Sequence, residues 1–183
     1  MTTKKKTVTL EEAREQVSKV CHRLALLHLS FARTLVEEMG EEKGKQLVLK
    51  AIKDYGRRIG EGVKAKATAQ GLDNNPANYK EDLPLYGMHE RTETVEVDGE
   101  KRIRLYGCVM GNVWRELGAG KLGRLYCHVD PAKYMGFNPD FKLVHTKALP
   151  DGEEYCELVL RPTTEQERKD FADNDKDWSY LDR

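Results

Sequence analysis

The stretch TETVEVDGEKRIRLY (residues 92–106) decides the fold class of this chain. Apolar and polar side chains alternate on both sides of Asp98-Gly99, and this pattern indicates two β-strands joined by a tight turn. The exact partners across the turn stay open. Placing the valines of the first strand opposite Ile103 and Leu105 requires a loop with an odd number of residues and a bulge.

Upstream of this hairpin, two long amphipathic helices are predicted. Apolar side chains recur there at spacings of three and four, and residues 71–85 then lose this period in a loop rich in Asn, Pro and Gly. Thr9 and Glu12 form a capping box at the start of the first helix, and Gly40 ends that helix. The apolar face of the first helix is predicted to consist of Leu10, Ala13, Val17, Val20, Leu24, Leu27, Phe31 and Leu35.

The second helix is predicted from about residue 42 to residue 69. Gly56 and Gly60 lie four positions apart in it, and each glycine lowers helix propensity. Two interpretations stay open: the glycines mark a close crossing with another helix, or they are merely tolerated.

Downstream of the hairpin we predict short elements and a charged tail. They are a helix at residues 110–117, a strand at 122–128, a helical turn capped by Asp130 with Pro131 at its first position, and strands at 141–149 and 155–160. The tail from residue 163 either docks a short helix on the body or remains partly mobile.

Together these elements predict one α+β domain, in which two long N-terminal helices pack on an antiparallel sheet formed mainly by the C-terminal half. The domain spans residues 1–183. Its parts are a helical half at about 8–70, a loop at about 71–88, a sheet half at about 89–162 and a charged tail at about 163–183. We also expect the chain to self-associate.

The composition limits the classes of partner. Lys plus Arg and Asp plus Glu number 31 each, so the formal net charge is zero. A neutral chain lacks the basic surface of a duplex nucleic-acid binder and gives no reason to expect a membrane partner. Without a signal-peptide pattern or a span of roughly 18 apolar residues, the protein is expected to be cytoplasmic, with reduced cysteines.

Three residues of the last predicted strands form the main candidate site. Alternation places Cys127, His145 and Cys156 on core-facing sides. A loop around residues 151–152 sets Lys147 opposite Cys156 and makes His145 a diagonal neighbour of that thiol. A histidine and a lysine beside a thiol lower its pKa and favour the nucleophilic thiolate.

Two other interpretations of these residues stay open. Free cysteine packs as a small hydrophobe, so Cys127 and Cys156 could be core thiols beside a hydrogen-bonded His145. Alternatively, the three side chains could bind zinc, with His128, Asp130 or a water as the fourth ligand. Their separations in sequence match no standard zinc-finger spacing.

A resemblance to a known family rests on four segments of the C-terminal half. They are Tyr126-Cys127-His128-Val129-Asp130-Pro131, Phe137-Asn138-Pro139, His145-Thr146-Lys147 and Asp151-Gly152 followed by Tyr155-Cys156-Glu157. With these segments the chain resembles the L-2-amino-thiazoline-4-carboxylic acid hydrolase family. The resemblance is specific over residues 122–160 and only architectural before them.

The resemblance implies hydrolysis of a small cyclic C–N or C–S compound, in which water opens a thiazoline ring to a carbamoyl-cysteine. It implies Cys127 or Cys156 as nucleophile or metal ligand, His145 as acid/base, and Asp130 as an orienting group or second base. Arg124 would pair with the substrate carboxylate. The list of implied substrate-binding residues is completed by His128 and Lys147. Related folds imply an alternative, a small-molecule-binding or sensor domain without turnover that holds a structural zinc.

Overall fold

The computed structural model describes residues 7–80 and 82–183. Its helices are α1 (Leu10–Met39), α2 (Glu41–Ala69), α3 (Val109–Glu116), α4 (Gly120–Cys127), α5 (Val129–Phe137) and α6 (Glu165–Ala172). Its strands are β1 (Arg91–Val97), β2 (Glu100–Tyr106), β3 (Phe141–Lys147) and β4 (Cys156–Pro162). The predicted α+β class, with two long N-terminal helices and an antiparallel sheet in the C-terminal half, is confirmed.

Helix α1 begins and ends as predicted but buries a different face. The Thr9 side chain accepts a hydrogen bond from Glu12 N at 3.2 Å, and the Glu12 carboxylate accepts one from Thr9 N at 2.8 Å, which completes the capping box. The predicted apolar face is wrong in part: Val20 and Phe31 are 65% and 64% exposed, whereas Val17, Leu24 and Leu35 pack against the core. The residues that α1 buries are Cys21, Ala25, His28, Leu29 and Ala32.

Ala25 lies where α1 meets α3. Trp114 of α3 donates its indole N–H to the Ala25 carbonyl oxygen at 3.0 Å. The small side chain at this position leaves room for the buried tryptophan in a close-packed interior.

Helix α2 crosses α5 at close range, which is the first of the two interpretations of its glycines. A Cβ at Gly56 would lie 2.5 Å from the Ala132 Cβ, and a Cβ at Gly60 would overlap the Lys133 carbonyl oxygen. Gly136 of α5 makes the same close approach to the backbone of Arg57. Small residues on both helices therefore bring the two backbones together, and α5 in turn packs on β3.

The sheet has the strand order β1-β2-β4-β3, with antiparallel neighbours throughout. Asp98 and Gly99 both have positive φ, 52° and 77°, as a two-residue type I′ turn requires. Val95 therefore lies opposite Arg102, without the bulge that pairing it with an isoleucine or leucine would need. Between β3 and β4, His145 lies opposite Leu158 as predicted.

The strand predicted at residues 122–128 is wrong, because this segment forms α4. A Cβ at Gly123 would overlap the ring of Trp114, so this glycine lets α4 pack on α3. Asp130 is not the cap of the following helix either. It lies in the first turn of α5, where an acidic side chain is favoured by the helix dipole.

The charged tail docks on the body. After α6, Trp178 and Leu181 are buried and pack with Ala132 and Met135 of α5. This docking brings Asp182 into the protein interior, where it is 4% exposed. Over residues 7–80 and 82–183, the structure contains no helix long and apolar enough to cross a membrane.

Candidate functional site

A cavity of about 670 Å³ lies between α1 and α2 and reaches inward to the sheet and to α3, α4 and α5. The four residues predicted as catalytic all line it: Cys127, Asp130, His145 and Cys156. They come from four different elements, because β3 and β4 supply His145 and Cys156 while the ends of α4 and α5 supply the other two. The cavity is therefore the place where the predicted residues meet.

His145 is held by a carboxylate from the tail. Its Nδ1 lies 3.1 Å and 3.2 Å from the two carboxylate oxygens of Asp182, and its backbone N–H donates to Asp182 Oδ1 at 2.8 Å. Since a carboxylate only accepts, the proton of a neutral His145 is on Nδ1, and Nε2 is left as an acceptor.

The pKa of each partner reflects this pairing. Burial disfavours the charged imidazole, but the Asp182 carboxylate outweighs it and raises the pKa of His145 above its usual value. Burial likewise opposes the charge on Asp182, yet His145 and Arg124 lower the pKa of this carboxyl. The pair therefore favours an imidazolium facing a carboxylate.

A second ionic cluster borders His145 on its other side. His145 Nε2 lies 3.6 Å from Asp130 Oδ2, while Lys133 Nζ lies 2.9 Å from Asp130 Oδ1 and 2.8 Å from Asp82 Oδ2. The two carboxylates raise the pKa of Lys133 against the opposing effect of burial. Asp130 is thus fixed by Lys133 and lies beside the free nitrogen of His145.

The cavity thiols differ in acidity, and Cys108 belongs with the two predicted ones. Its Sγ accepts the backbone N–H of Gly111 at the start of α3 at 3.5 Å. A hydrogen bond from the Cys156 thiol, together with this amide, lowers the pKa of Cys108. The same hydrogen bond and burial raise the pKa of Cys156, and burial raises that of Cys127 well above its usual value.

The thiolate predicted at Cys156 is therefore not supported. The register between β3 and β4 shifts after His145, so Lys147 lies opposite Glu157 and not opposite Cys156. The Lys147 side chain is 41% exposed, and its ammonium lies 5.0 Å from the centre of the Tyr155 ring. The Lys147 ammonium, which was expected to lower the pKa of Cys156, therefore lies beside the Tyr155 ring and not beside that thiol.

Arg124, His128 and Lys147, predicted to bind substrate, lie outside the cavity lining. Arg124 pairs with Asp182 at 2.6 Å and with Asp151 at 3.0 Å. His128 Nε2 lies 3.2 Å from the Ser179 carbonyl oxygen. Arg124 and His128 thus contact the docked tail, and Lys147 lies at the surface.

Sequence reasoning missed Asp182, Cys108 and Lys133. Asp182 has no distinguishing signal, because it is one of many charges in a tail without apolar period. The sequence does contain a signal for Cys108. This residue follows Gly107 and precedes a helix pattern, and a cysteine at a helix N-terminus often has a lowered pKa. Lys133 lies three positions after Asp130 in a predicted helical turn, which is the spacing of an ion pair.

The zinc interpretation of Cys127, His145 and Cys156 is not supported. Within the described residues, no three His, Cys, Asp or Glu side chains are gathered closely enough to hold a metal ion. His128 is directed at the tail and not at these side chains.

The comparison with known families identifies one match. The family model described as L-2-amino-thiazoline-4-carboxylic acid hydrolase matches residues 18–160. This range contains His145, Asp130 and the four cysteines that line the cavity, whereas Asp182 lies beyond it. No curated protein and no solved structure matches the chain.

Proposed function

The chain belongs to the L-2-amino-thiazoline-4-carboxylic acid hydrolase family, and from this premise we propose that it hydrolyses a small cyclic compound at a carbon bonded to nitrogen and sulfur. One observation carries the proposal. His145 lines the cavity with its Nδ1 held by Asp182 and its Nε2 left beside Asp130.

His145 acts first as a general base. A water molecule attacks C2 of the ring, and Nε2 of the neutral imidazole takes a proton from it. Asp182 holds the tautomer that makes Nε2 an acceptor and then stabilises the imidazolium, as the aspartate of a catalytic triad does. The raised pKa of His145 fits this role, because the paired carboxylate favours the charged form that the step produces.

Asp130 positions the substrate. The ring carries an amidine-like N–C–N unit, whose N–H groups donate to carboxylates. Asp130 Oδ2, 3.6 Å from His145 Nε2, can accept such a bond beside the base. Lys133 fixes Asp130 at 2.9 Å, so C2 is presented to the water that His145 activates.

The ring then opens. The imidazolium of His145 returns its proton to the departing sulfur or nitrogen, the second proton of the water passes to the ring nitrogen, and the oxygen of the water remains on C2 as a carbonyl. Water is favoured over Cys127 and Cys156 as the attacking group, because their raised pKa values keep these two thiols protonated.

The test is turnover of L-2-aminothiazoline-4-carboxylate by the purified, reduced protein, with loss of substrate and appearance of carbamoyl-cysteine followed together. His145→Gln should lower kcat by about 10²- to 10⁴-fold, the usual contribution of a general base. His22→Gln is the matched control, since His22 is exposed on α1 and does not line this cavity. Equal kcat values for the two variants would refute the role of His145.

The pH dependence of kcat/KM is an independent test of the His145–Asp182 pair. Only neutral His145 accepts a proton, so kcat/KM should rise with pH through a pKa above the usual 6.5. Asp182→Asn removes the carboxylate that raises this pKa. The rise of kcat/KM should therefore occur at lower pH, and the value of kcat/KM at high pH should be smaller. A midpoint unchanged by the substitution would contradict the pairing.

A binding or sensor role without turnover is the second candidate. The observation that favours it is the cavity volume of about 670 Å³, which lies in the range of sites for drug-sized ligands and exceeds the size of a single ring. A ligand that binds tightly but is recovered unchanged would favour this role over hydrolysis.

A further inference from the structure

The cavity has an ionic inner end and an apolar passage to the surface. His145 and Cys156, at the inner end, are 8% and 4% exposed. At the outer end, Val20 and Leu83 line the same cavity and are 65% and 48% exposed. Exposure therefore increases from the sheet towards α1, α2 and the segment that follows residue 81.

The walls between these two ends are apolar. Leu24 of α1 faces Ile59 and Val63 of α2 across the passage, and Met88 and Leu105 also line it. Water in contact with such walls is readily displaced by apolar groups, which is the main source of affinity in sites of this kind. The passage is thus suited to a hydrocarbon or aryl group.

The volume exceeds what the head of the proposed substrate fills. At about 30 Å³ per water molecule, the cavity of about 670 Å³ corresponds to roughly 20 waters. A five-membered ring with one carboxylate replaces only a fraction of these. Bound at His145, it would leave the apolar passage filled with water.

The charges of the cavity give the ligand a direction. At the inner end, Lys133 is already paired with Asp82 and Asp130, so this end does not favour an anionic group. At the outer end, Arg58 and Lys66 line the cavity from the exposed side of α2. A neutral or cationic head is therefore favoured inside, and an anionic group is favoured near the mouth.

From this arrangement we propose that the cavity binds an amphiphile. Its heterocyclic head lies at His145 and Asp130, and an alkyl or aryl substituent extends past Leu24 to the mouth. The position of the head rests on the proposed function, but the apolar substituent does not. In a 2-alkyl-thiazoline, whose ring carries no anionic group, water would add to C2 and a ring bond from that carbon would break, which gives an acylated cysteamine.

The test uses 2-methyl-, 2-butyl- and 2-octyl-thiazoline, whose rings carry no anionic group. Their affinities are measured by titration calorimetry on the His145→Gln variant, in which turnover is suppressed, and their hydrolysis is measured on the unmodified protein. Each methylene buried in the passage should tighten binding about threefold to fourfold until the cavity is filled. Equal affinities for the methyl and octyl compounds, or no binding of any of them, would overturn the proposal.

A matched pair of variants locates the chain in the passage. Leu24→Trp fills it and should remove the dependence of affinity on chain length. Leu35→Trp places the same ring on another half-buried leucine of α1 that does not line the cavity, so the dependence should persist. A dependence that survives Leu24→Trp would place the chain elsewhere and overturn the proposal.

The two proposals fail in different ways. Binding that depends on chain length without turnover of any compound would support the amphiphile and contradict hydrolysis. Turnover of L-2-aminothiazoline-4-carboxylate, together with affinities that do not change with the length of the alkyl chain, would support hydrolysis and contradict the amphiphile.

Discussion

Cys108 differs from Cys127 and Cys156, which also line the cavity, in what its sulfur contacts. It receives the Gly111 amide at the beginning of α3 and a hydrogen bond from Cys156, and both stabilise a thiolate. Cys127 has no comparable donors, and burial keeps its thiol protonated. Because the thiolate is the reactive form, a difference in protonation becomes a difference in reaction rate.

This difference predicts the order of alkylation. With limiting iodoacetamide, Cys108 should be modified before Cys127 and Cys156, as measured by mass spectrometry of tryptic peptides over time. The unfolded protein is the control, since its four cysteines should react at similar rates. If Cys127 reacts as fast as Cys108 in the folded protein, the assignment of their protonation states is wrong.

Much of the site could be predicted from single residues, but the contact between His145 and Asp182 could not. Strand alternation was sufficient to put His145 and Cys156 on one side of the sheet, because neighbouring antiparallel strands have a fixed geometry. Cys127 reaches the cavity from a helix and not from the predicted strand. Asp182 could not be predicted, because its pairing with His145 depends on how the tail docks.

Helix α4 shows why the spacing of apolar residues in a short segment does not distinguish a helix from a strand. In residues 122–128 the apolar residues fit both alternation and a helical period, and so short a segment does not distinguish the two. Tertiary packing decides for the helix, since Gly123 provides the space that Trp114 occupies. The long helices were predictable because many turns repeat the same signal. The buried face of α1 was not, because apolar side chains occur around much of its circumference.

The α2–α5 crossing leads to a prediction about stability. In Gly60→Ala the new methyl would overlap the Lys133 carbonyl oxygen and lie 2.7 Å from Phe137 N. Because backbone atoms cannot move aside cheaply, the free energy of unfolding should fall by about 1–3 kcal/mol, measured by urea denaturation.

Gly62→Ala is the control for this crossing. Gly62 lies two positions further along α2 and has no neighbouring atom within 4 Å of the new methyl. Alanine is the better helix former, so this variant should gain about 0.5–1 kcal/mol. If both variants change stability in the same direction, the crossing is looser than described.

For the whole molecule, Glu157 links the strands of the sheet. Its carboxylate accepts hydrogen bonds from Arg102 at 2.9 Å, Arg104 at 2.8 Å and Thr146 at 2.7 Å, which come from β2 and β3. Burial opposes the charge on Glu157, but these donors outweigh it and lower its pKa to about 2. A carboxyl with a lowered pKa stabilises the fold above its unfolded pKa, and this contribution is lost as the pH falls towards 2.

Acid unfolding should therefore depend on Glu157. Glu157→Gln removes the buried carboxylate that two partly exposed arginines share, while Arg102 keeps its pair with Glu100, and it should lower the free energy of unfolding by about 1–3 kcal/mol at pH 7. The difference from the unmodified protein should shrink as the pH falls from about 5 to 2, because the native glutamate is then protonated. Glu96→Gln, at an exposed position of β1, is the control with little expected effect. A difference that does not vary with pH would contradict this account.

The docked tail has a consequence for the order in which the protein becomes active. A ribosome synthesises the cavity walls, His145 and all four cysteines before it adds Asp182. An unfinished chain can thus form the cavity while its imidazole still lacks the carboxylate that orients it. The hydrolysis proposed above would then begin only when the tail has been made and has docked. A protease that cuts between α6 and Trp178 would reverse this last step without dismantling the sheet.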